Sequence, residues 1–301
     1  MPNTALSRRA LLALCAATTN ITTGTAADAA DKPKILASFS ILADLAQVIG
    51  GDAITVTTLV GPGQDTHAFQ PRPSDARTLA SARVLLVNGL GFEGWMDRLG
   101  RAAQFKGVQI TATTGIQPRR SGPGATTPDP HAWQDVANTK LYVRNIRDGL
   151  IQADPANAAA TQNATAAYLT QLEQLDAEIR AAWATIPRAA RRIVTSHDAF
   201  TYYGAAYGVD FFAPQGLAAD SEPTPRQLAT LIAQIRAQKI RAAFVESIGN
   251  PRMLQQLARE TGARIGPVVF SDTLSPQTGP ASSYLAMMRH NTTAFVASLA
   301  A

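Results

Sequence analysis

The stretch ANAAATQNATAAYLTQLEQLDAEIRAAWA, residues 156–184, decides how this chain is organised. It is rich in Ala, Gln, Leu and Glu, contains neither Pro nor Gly, and is bracketed by Pro155 and Pro187. Such a run reads as one long helix, with Asp154 as its N-cap and Pro155 at the first helical position. At 1.5 Å per residue it extends roughly 40 Å, enough to lie along two packed units as a rigid spacer. Large closure between those units is therefore not expected.

The same rhythm repeats on either side of the helix. Before it, strand-like runs at residues 34–39, 53–60, 83–88 and 108–113 alternate with helical pattern. After it, runs at residues 191–196, 209–215, 240–246 and 264–271 do the same. Strands alternating with helices imply parallel sheets built from right-handed crossovers. The expected fold class is thus α/β, with two (βα)4 lobes of parallel sheet, residues 31–154 and 188–301, joined by the rigid helix of residues 155–187.

Residues 1–30 read as a leader outside this count. Ser7-Arg8-Arg9 precedes an apolar stretch from Ala10 to Ala17 and a run of small residues to Ala30, the pattern of a secretory signal peptide. The paired arginines resemble a twin-arginine signal, although a general secretion signal also begins with positive charge. Cys15 is the chain's one cysteine. Leu14 before it is a poor match to the small residue of a lipoprotein cleavage site, so Cys15 is expected to leave with the leader, without a lipid anchor.

The mature chain then has no thiol, and any metal must take nitrogen and oxygen ligands. Its net charge falls from +5 to +4 once Arg8, Arg9 and Asp28 are gone, with no basic run of the nucleic-acid kind. No other apolar run reaches the ~20 residues that a membrane span needs. A periplasmic monomer is expected.

Three of the four histidines follow strands. His67 lies in GPGQDTHAFQPRPSD and His131 in DPHAWQD, both in the first lobe, while His197 ends the first strand of the second lobe in RRIVTSHDAF. Asp272 follows that lobe's last strand in PVVFSDTLS. Ligands in open α/β sheets bind outside the carboxyl ends of the strands, so these side chains can converge where the lobes face each other. Three neutral imidazoles and a carboxylate make a four-coordinate shell suited to Zn²⁺. Glu246, ending AAFVE, and Glu222, in SEPTP, compete with Asp272 for the fourth place. His290, in MMRHNTTAF, reads as a surface or packing residue.

Gly89, Gly91 and Gly94 form a G-x-G-x-x-G after a strand, the setting of a dinucleotide fingerprint. The next strand, VQITAT, ends without the acidic residue that would bind a ribose hydroxyl, so the glycines are assigned to the turn and to helix packing.

Taken together, DTHAFQPRPSD, NGLGFEGWMDRL, DPHAWQD, VTSHDAF with AYGV downstream, and SDTLS followed by SYLAMMRHN resemble the motif series of the zinc/manganese-specific solute-binding proteins of ABC transporters. The resemblance runs from about residue 34 to the C-terminus. It implies two (βα)4 lobes on a rigid helix and a metal between them, delivered to a permease in the inner membrane. By matching positions it implies His67, His131, His197 and Asp272 as metal ligands, with no catalytic residues. The sequence departs from the pattern at residues 114–130, where some members carry a long His-rich loop, and at Val136, where Pro is frequent.

A third histidine in place of a second carboxylate favours Zn²⁺ over Mn²⁺ as the transported ion. Because imidazoles ligate only when neutral, affinity is expected to fall below about pH 6. Release is expected through the loops carrying His131 and Asp272. The readings from other classes are a zinc-dependent hydrolase using a three-histidine site and a metal-binding adhesin.

Overall fold

The computed structural model describes Met1 and residues 32–120, 127–214, 216 and 224–300. Most of the expected leader thus lies outside the described residues, as does Glu222.

The first lobe runs β1 (Lys34–Phe39), α1 (Ser40–Gly50), β2 (Thr55–Val60), α2 (Pro73–Ser81), β3 (Val84–Val87), α3 (Met96–Ala103) and β4 (Val108–Thr111). Two long helices follow, α4 (Val136–Ala153) and α5 (Ala158–Ala184). The second lobe comprises β5 (Arg192–Thr195), α6 (Thr201–Tyr207), β6 (Asp210–Phe212), α7 (Pro225–Ala237), β7 (Ala242–Phe244), α8 (Pro251–Thr261), β8 (Arg264–Ile265) and α9 (Tyr284–Ala300). The sheets are ordered β2-β1-β3-β4 and β6-β5-β7-β8, and every pairing within them is parallel. The lobes therefore repeat one topology. In β3 all four residues, Val-Leu-Leu-Val, are buried, as expected of a parallel strand covered on both faces.

The long helix is present, but it starts later than the sequence suggests. Residues Pro155–Asn157 form a 3-10 turn and α5 begins at Ala158. Asp154 closes α4: its amide donates to Leu150 O at 2.8 Å and its carboxylate accepts from Asn157 Nδ2 at 2.6 Å. A carboxylate satisfied in this way does not cap the following helix. The 27 residues of α5 bury Thr161, Thr165, Tyr168, Leu172, Leu175, Ile179 and Trp183 along one stripe. The stripe packs against α1 and α4 of the first lobe and α6 and α9 of the second. Trp183 Nε1 also donates to Tyr203 OH at 2.8 Å, fixing the far end of the helix to α6.

The last strand is much shorter than its β-rich run. β8 stops at Ile265, because Pro267 has no amide hydrogen to continue the ladder. Pairing resumes as a bridge between Glu246 and Val269. Beyond it Asn291 of α9 takes over, its Oδ1 accepting from Phe270 N at 2.9 Å and its Nδ2 donating to Phe270 O at 2.6 Å. This side chain thus serves as the strand partner that fixes the approach to Asp272.

Candidate metal centre

The structure brings His67, His131, His197 and Asp272 together, with one candidate donor atom from each within 4.8 Å of the others. His67 comes from the loop between β2 and α2, His131 from the segment leading to α4, His197 from just past β5, and Asp272 from the loop after β8. Asp272 lies among the three rings. Its Oδ2 is 3.2 Å from His197 Nε2 and 3.5 Å from His67 Nε2, and its Oδ1 is 3.4 Å from His131 Nε2. The Nε2 atoms of His67 and His131 are 3.3 Å apart. His131, His197 and Asp272 are wholly buried, while the His67 side chain is 11% exposed.

Two carboxylates that are not candidate donors set two of the rings. Asp129 Oδ1 accepts from the His131 backbone amide at 2.9 Å and sits 2.7 Å from its Nδ1. Glu246, just past β7, repeats the arrangement, with Oε1 accepting from the His197 amide at 2.9 Å and Oε2 lying 2.6 Å from His197 Nδ1. A carboxylate at Nδ1 draws the ring proton to that side and turns the Nε2 lone pair towards the cluster. Glu246 therefore stands behind His197 and outside the group of converging donors, where the sequence leaves it as a rival to Asp272. The role of Asp129 goes unread in the sequence, although Asp two residues before His is a spacing at which an Asp side chain binds the backbone ahead of it.

Phe92 lies edge-on to His67 at 4.7 Å and packs on Trp133 at 4.9 Å, and Trp133 meets His131 at 5.3 Å. This aromatic wall gives the cluster an apolar back.

Charge is concentrated here. Burial acts to lower the His131 imidazole, but the Asp272 charge and the contacts with Asp129 and Asp272 carry it up to about 9. His197 is also lowered by burial, yet Glu246 and Asp272 hold it well above the usual imidazole range. Burial pushes the Asp272 carboxyl up, and the facing His197 and His131 hold it well below the usual range. His197 Nε2 and both Asp272 oxygens are buried without a hydrogen-bond partner. Buried polar atoms are rarely left so, and an ion between these groups would satisfy them. Three imidazole nitrogens and a carboxylate fit a divalent transition metal.

The glycine pattern has a different use. Gly89 and Gly91 adopt φ of +90° and +83°, conformations that favour glycine. The buried carboxylate of Glu93 accepts from the amides of Asn88 at 2.6 Å and Gly89 at 3.2 Å. The amides that would cradle a phosphate are thus engaged by the chain's own acid. His290 lies 2.8 Å from the Val268 carbonyl and packs on Phe270, in the packing role expected of it.

Residues 35–298 match the family model described as the zinc-uptake complex component A, periplasmic. The chain belongs to this family of periplasmic metal-binding components of ABC transporters. Among curated members, the manganese-binding lipoprotein MntA of Halalkalibacterium halodurans is 35% identical over 278 residues, 92% of this chain and 91% of that protein. The iron-binding protein YfeA of Yersinia pestis is 34% identical, covering 87% of this chain and 84% of its own length. Solved members include a Mn-bound periplasmic metal-binding protein from Candidatus Liberibacter asiaticus, with a TM-score of 0.82 at 32% identity over 89% of this chain and 100% of that one. The periplasmic zinc-binding protein TroA of Treponema pallidum gives a TM-score of 0.85 at 28% identity, over 89% of this chain and 99% of its own. As a member of the zinc-uptake family, the chain has the family's two parallel four-stranded sheets on a long helix. No helix among the described residues is long and apolar enough to cross a membrane.

Proposed function

We propose that this protein captures one divalent first-row transition ion with the Nε2 atoms of His67, His131 and His197 and the carboxylate of Asp272, and delivers it as a monomer to an inner-membrane permease. The observation that carries the reading is the spacing of the donors. A tetrahedron with bonds of about 2.0–2.1 Å has edges of roughly 3.3–3.4 Å. Four of the separations, counting both Asp272 oxygens, lie between 3.2 and 3.5 Å, and one donor atom from each of the four residues lies within 4.8 Å of the rest, a spacing that an ion drawing the donors in would close. Both Asp272 oxygens face the rings, which also suits a larger ion that takes the carboxylate bidentate. Asp65, Asp129 and Glu246 are each engaged in holding a histidine, which supports a carrier over a hydrolase that needs a free general base.

Relatives are named for manganese, iron and zinc, so a relative's name does not fix the cargo. For a given nitrogen and oxygen site, affinity rises from Mn²⁺ through Fe²⁺ to Zn²⁺. We therefore expect competitive titration of the purified metal-free protein to rank Zn²⁺ above Mn²⁺ by at least roughly tenfold. Equal affinities, or no binding of either ion, would sink the reading of the site. Elemental analysis of protein taken directly from the periplasm then identifies the ion carried in the cell.

Several relatives are named lipoproteins, which favours a lipid anchor over the expected loss of Cys15 with the leader. On that support Cys15 is the proposed attachment point, in spite of Leu14. Intact mass spectrometry of the membrane fraction should find the chain beginning at Cys15 with added acyl mass. A soluble product beginning near Ala30 would return the cysteine to the discarded leader.

A further inference from the structure

Three of the four converging groups are held from behind. His131 and His197 each have a buried carboxylate on Nδ1 and on the backbone amide. Swinging either ring out of the cluster would strand Asp129 or Glu246 as an unpaired buried charge, which is strongly unfavourable. Asp272 is held through its neighbours. Trp133 Nε1 and Gln134 Nε2 both donate to Ser271 O, at 2.9 and 3.0 Å, and Ser40 Oγ accepts from Leu274 N at 3.0 Å. The sequence-based expectation that release goes through the loops of His131 and Asp272 thus meets segments tied by buried groups.

His67 shares the carboxylate on its backbone amide, Asp65 Oδ1 accepting from it at 2.8 Å, but its ring is held differently. Its ring Nδ1 has no hydrogen-bond partner among the described residues, and it is the one candidate ligand in contact with solvent. It lies on residues 61–72, which form neither helix nor strand. Near the ring, that loop is held by Trp95 at the start of α3. The indole Nε1 donates to Thr66 O at 2.9 Å, and its ring meets Phe69 at 4.8 Å, so Trp95 grips both sides of His67.

We propose that His67 is the moving ligand, the last to close on the ion and the first to leave it, and that Trp95 is the latch that sets its rate. This rests on the metal-capture reading above. The ion would enter and leave with His131, His197 and Asp272 already in position, so exchange needs one loop to shift and no separation of the lobes. Trp95 acts on the ion only through the loop, as a positioning residue.

The test is a chelator-jump experiment on the full chain loaded with Zn²⁺ alone, comparing wild type with Trp95→Phe and Phe69→Leu. Trp95→Phe removes one hydrogen bond and keeps an aromatic ring, so Zn²⁺ release should quicken by roughly three- to tenfold. Phe69 is half-buried, so Phe69→Leu reports on the same latch if the Trp95 variant does not fold. In the metal-free wild type, nitrogen-15 spectra of labelled histidines should show His67 exchange-broadened or averaged, with His131 and His197 in single ring states. Normal Zn²⁺ binding with unchanged release in the variants, or a His67 ring as fixed as the other two, overturns the latch. Failure of the wild type to bind Zn²⁺ overturns the functional reading as well, which separates the two.

Discussion

Asp272→Asn should all but abolish metal binding while leaving the fold intact. Asn keeps the size of the side chain and can remain in the loop tied through Ser271 and Leu274. What disappears is the negative charge that faces three imidazoles at 3.2–3.5 Å. Removing one member of a buried ion pair costs about 3–5 kcal/mol, or roughly 10²–10⁴ in a dissociation constant. A second effect runs the other way. Asp272 is among the groups that hold His131 and His197 upward, so its loss lets both rings shed protons more easily. The mutant then faces less proton competition than wild type, and its deficit should be smaller near pH 7 than near pH 9. Competitive Zn²⁺ titration at both values checks this, with circular dichroism as the control for folding. Wild-type affinity in the mutant would remove Asp272 from the shell. Glu246→Gln, which changes a group behind the ligand, should cost only about 10–100-fold.

How much of this is legible in the sequence follows from which interactions are local. The strand runs locate the sheets, because β-branched and apolar residues in short series between turn residues have few other uses. Their ends are less legible. Pro267 cuts the last strand to Arg264–Ile265, and Asn291, distant in sequence, then completes it. Asp154-Pro155 carries a helix-start signature, yet the acid is used to close the preceding helix. The four converging residues can be read because each follows a strand of a parallel sheet, where the topology sends its ligands. The division of labour among the acids cannot. Asp272 and Glu246 both follow strands of the second lobe, and only the packing decides which faces the cluster and which stands behind His197. The ties from Trp133 and Gln134 to Ser271 span well over a hundred residues and leave no local pattern, so the sequence alone points to the loops of His131 and Asp272 as the ones that move.

Metal affinity should climb with pH well above the window that free histidine suggests. An ordinary imidazole is largely neutral by pH 7.5, so the sequence alone puts the loss of binding below about pH 6. In the folded chain burial disfavours the protonated rings, but the carboxylates around them more than reverse this. His131 titrates at about 9, and His197 lies well above the usual range. At pH 7 the metal-free site therefore holds a proton on each of these rings, and an incoming ion must displace both. The sign is fixed: below the metal-free value of a ring, each unit of pH raises the binding constant by up to tenfold, and two such rings give up to roughly a hundredfold. The rise should slacken near pH 9 as His131 becomes neutral without help from the ion. Calorimetric titration at pH 7 in two buffers of different ionisation enthalpy counts the protons directly, and about two should leave per ion bound. Release of none at pH 7, with affinity level from pH 7 to 9, would mean that the metal-free rings are neutral and that the acids around them do not charge the empty site.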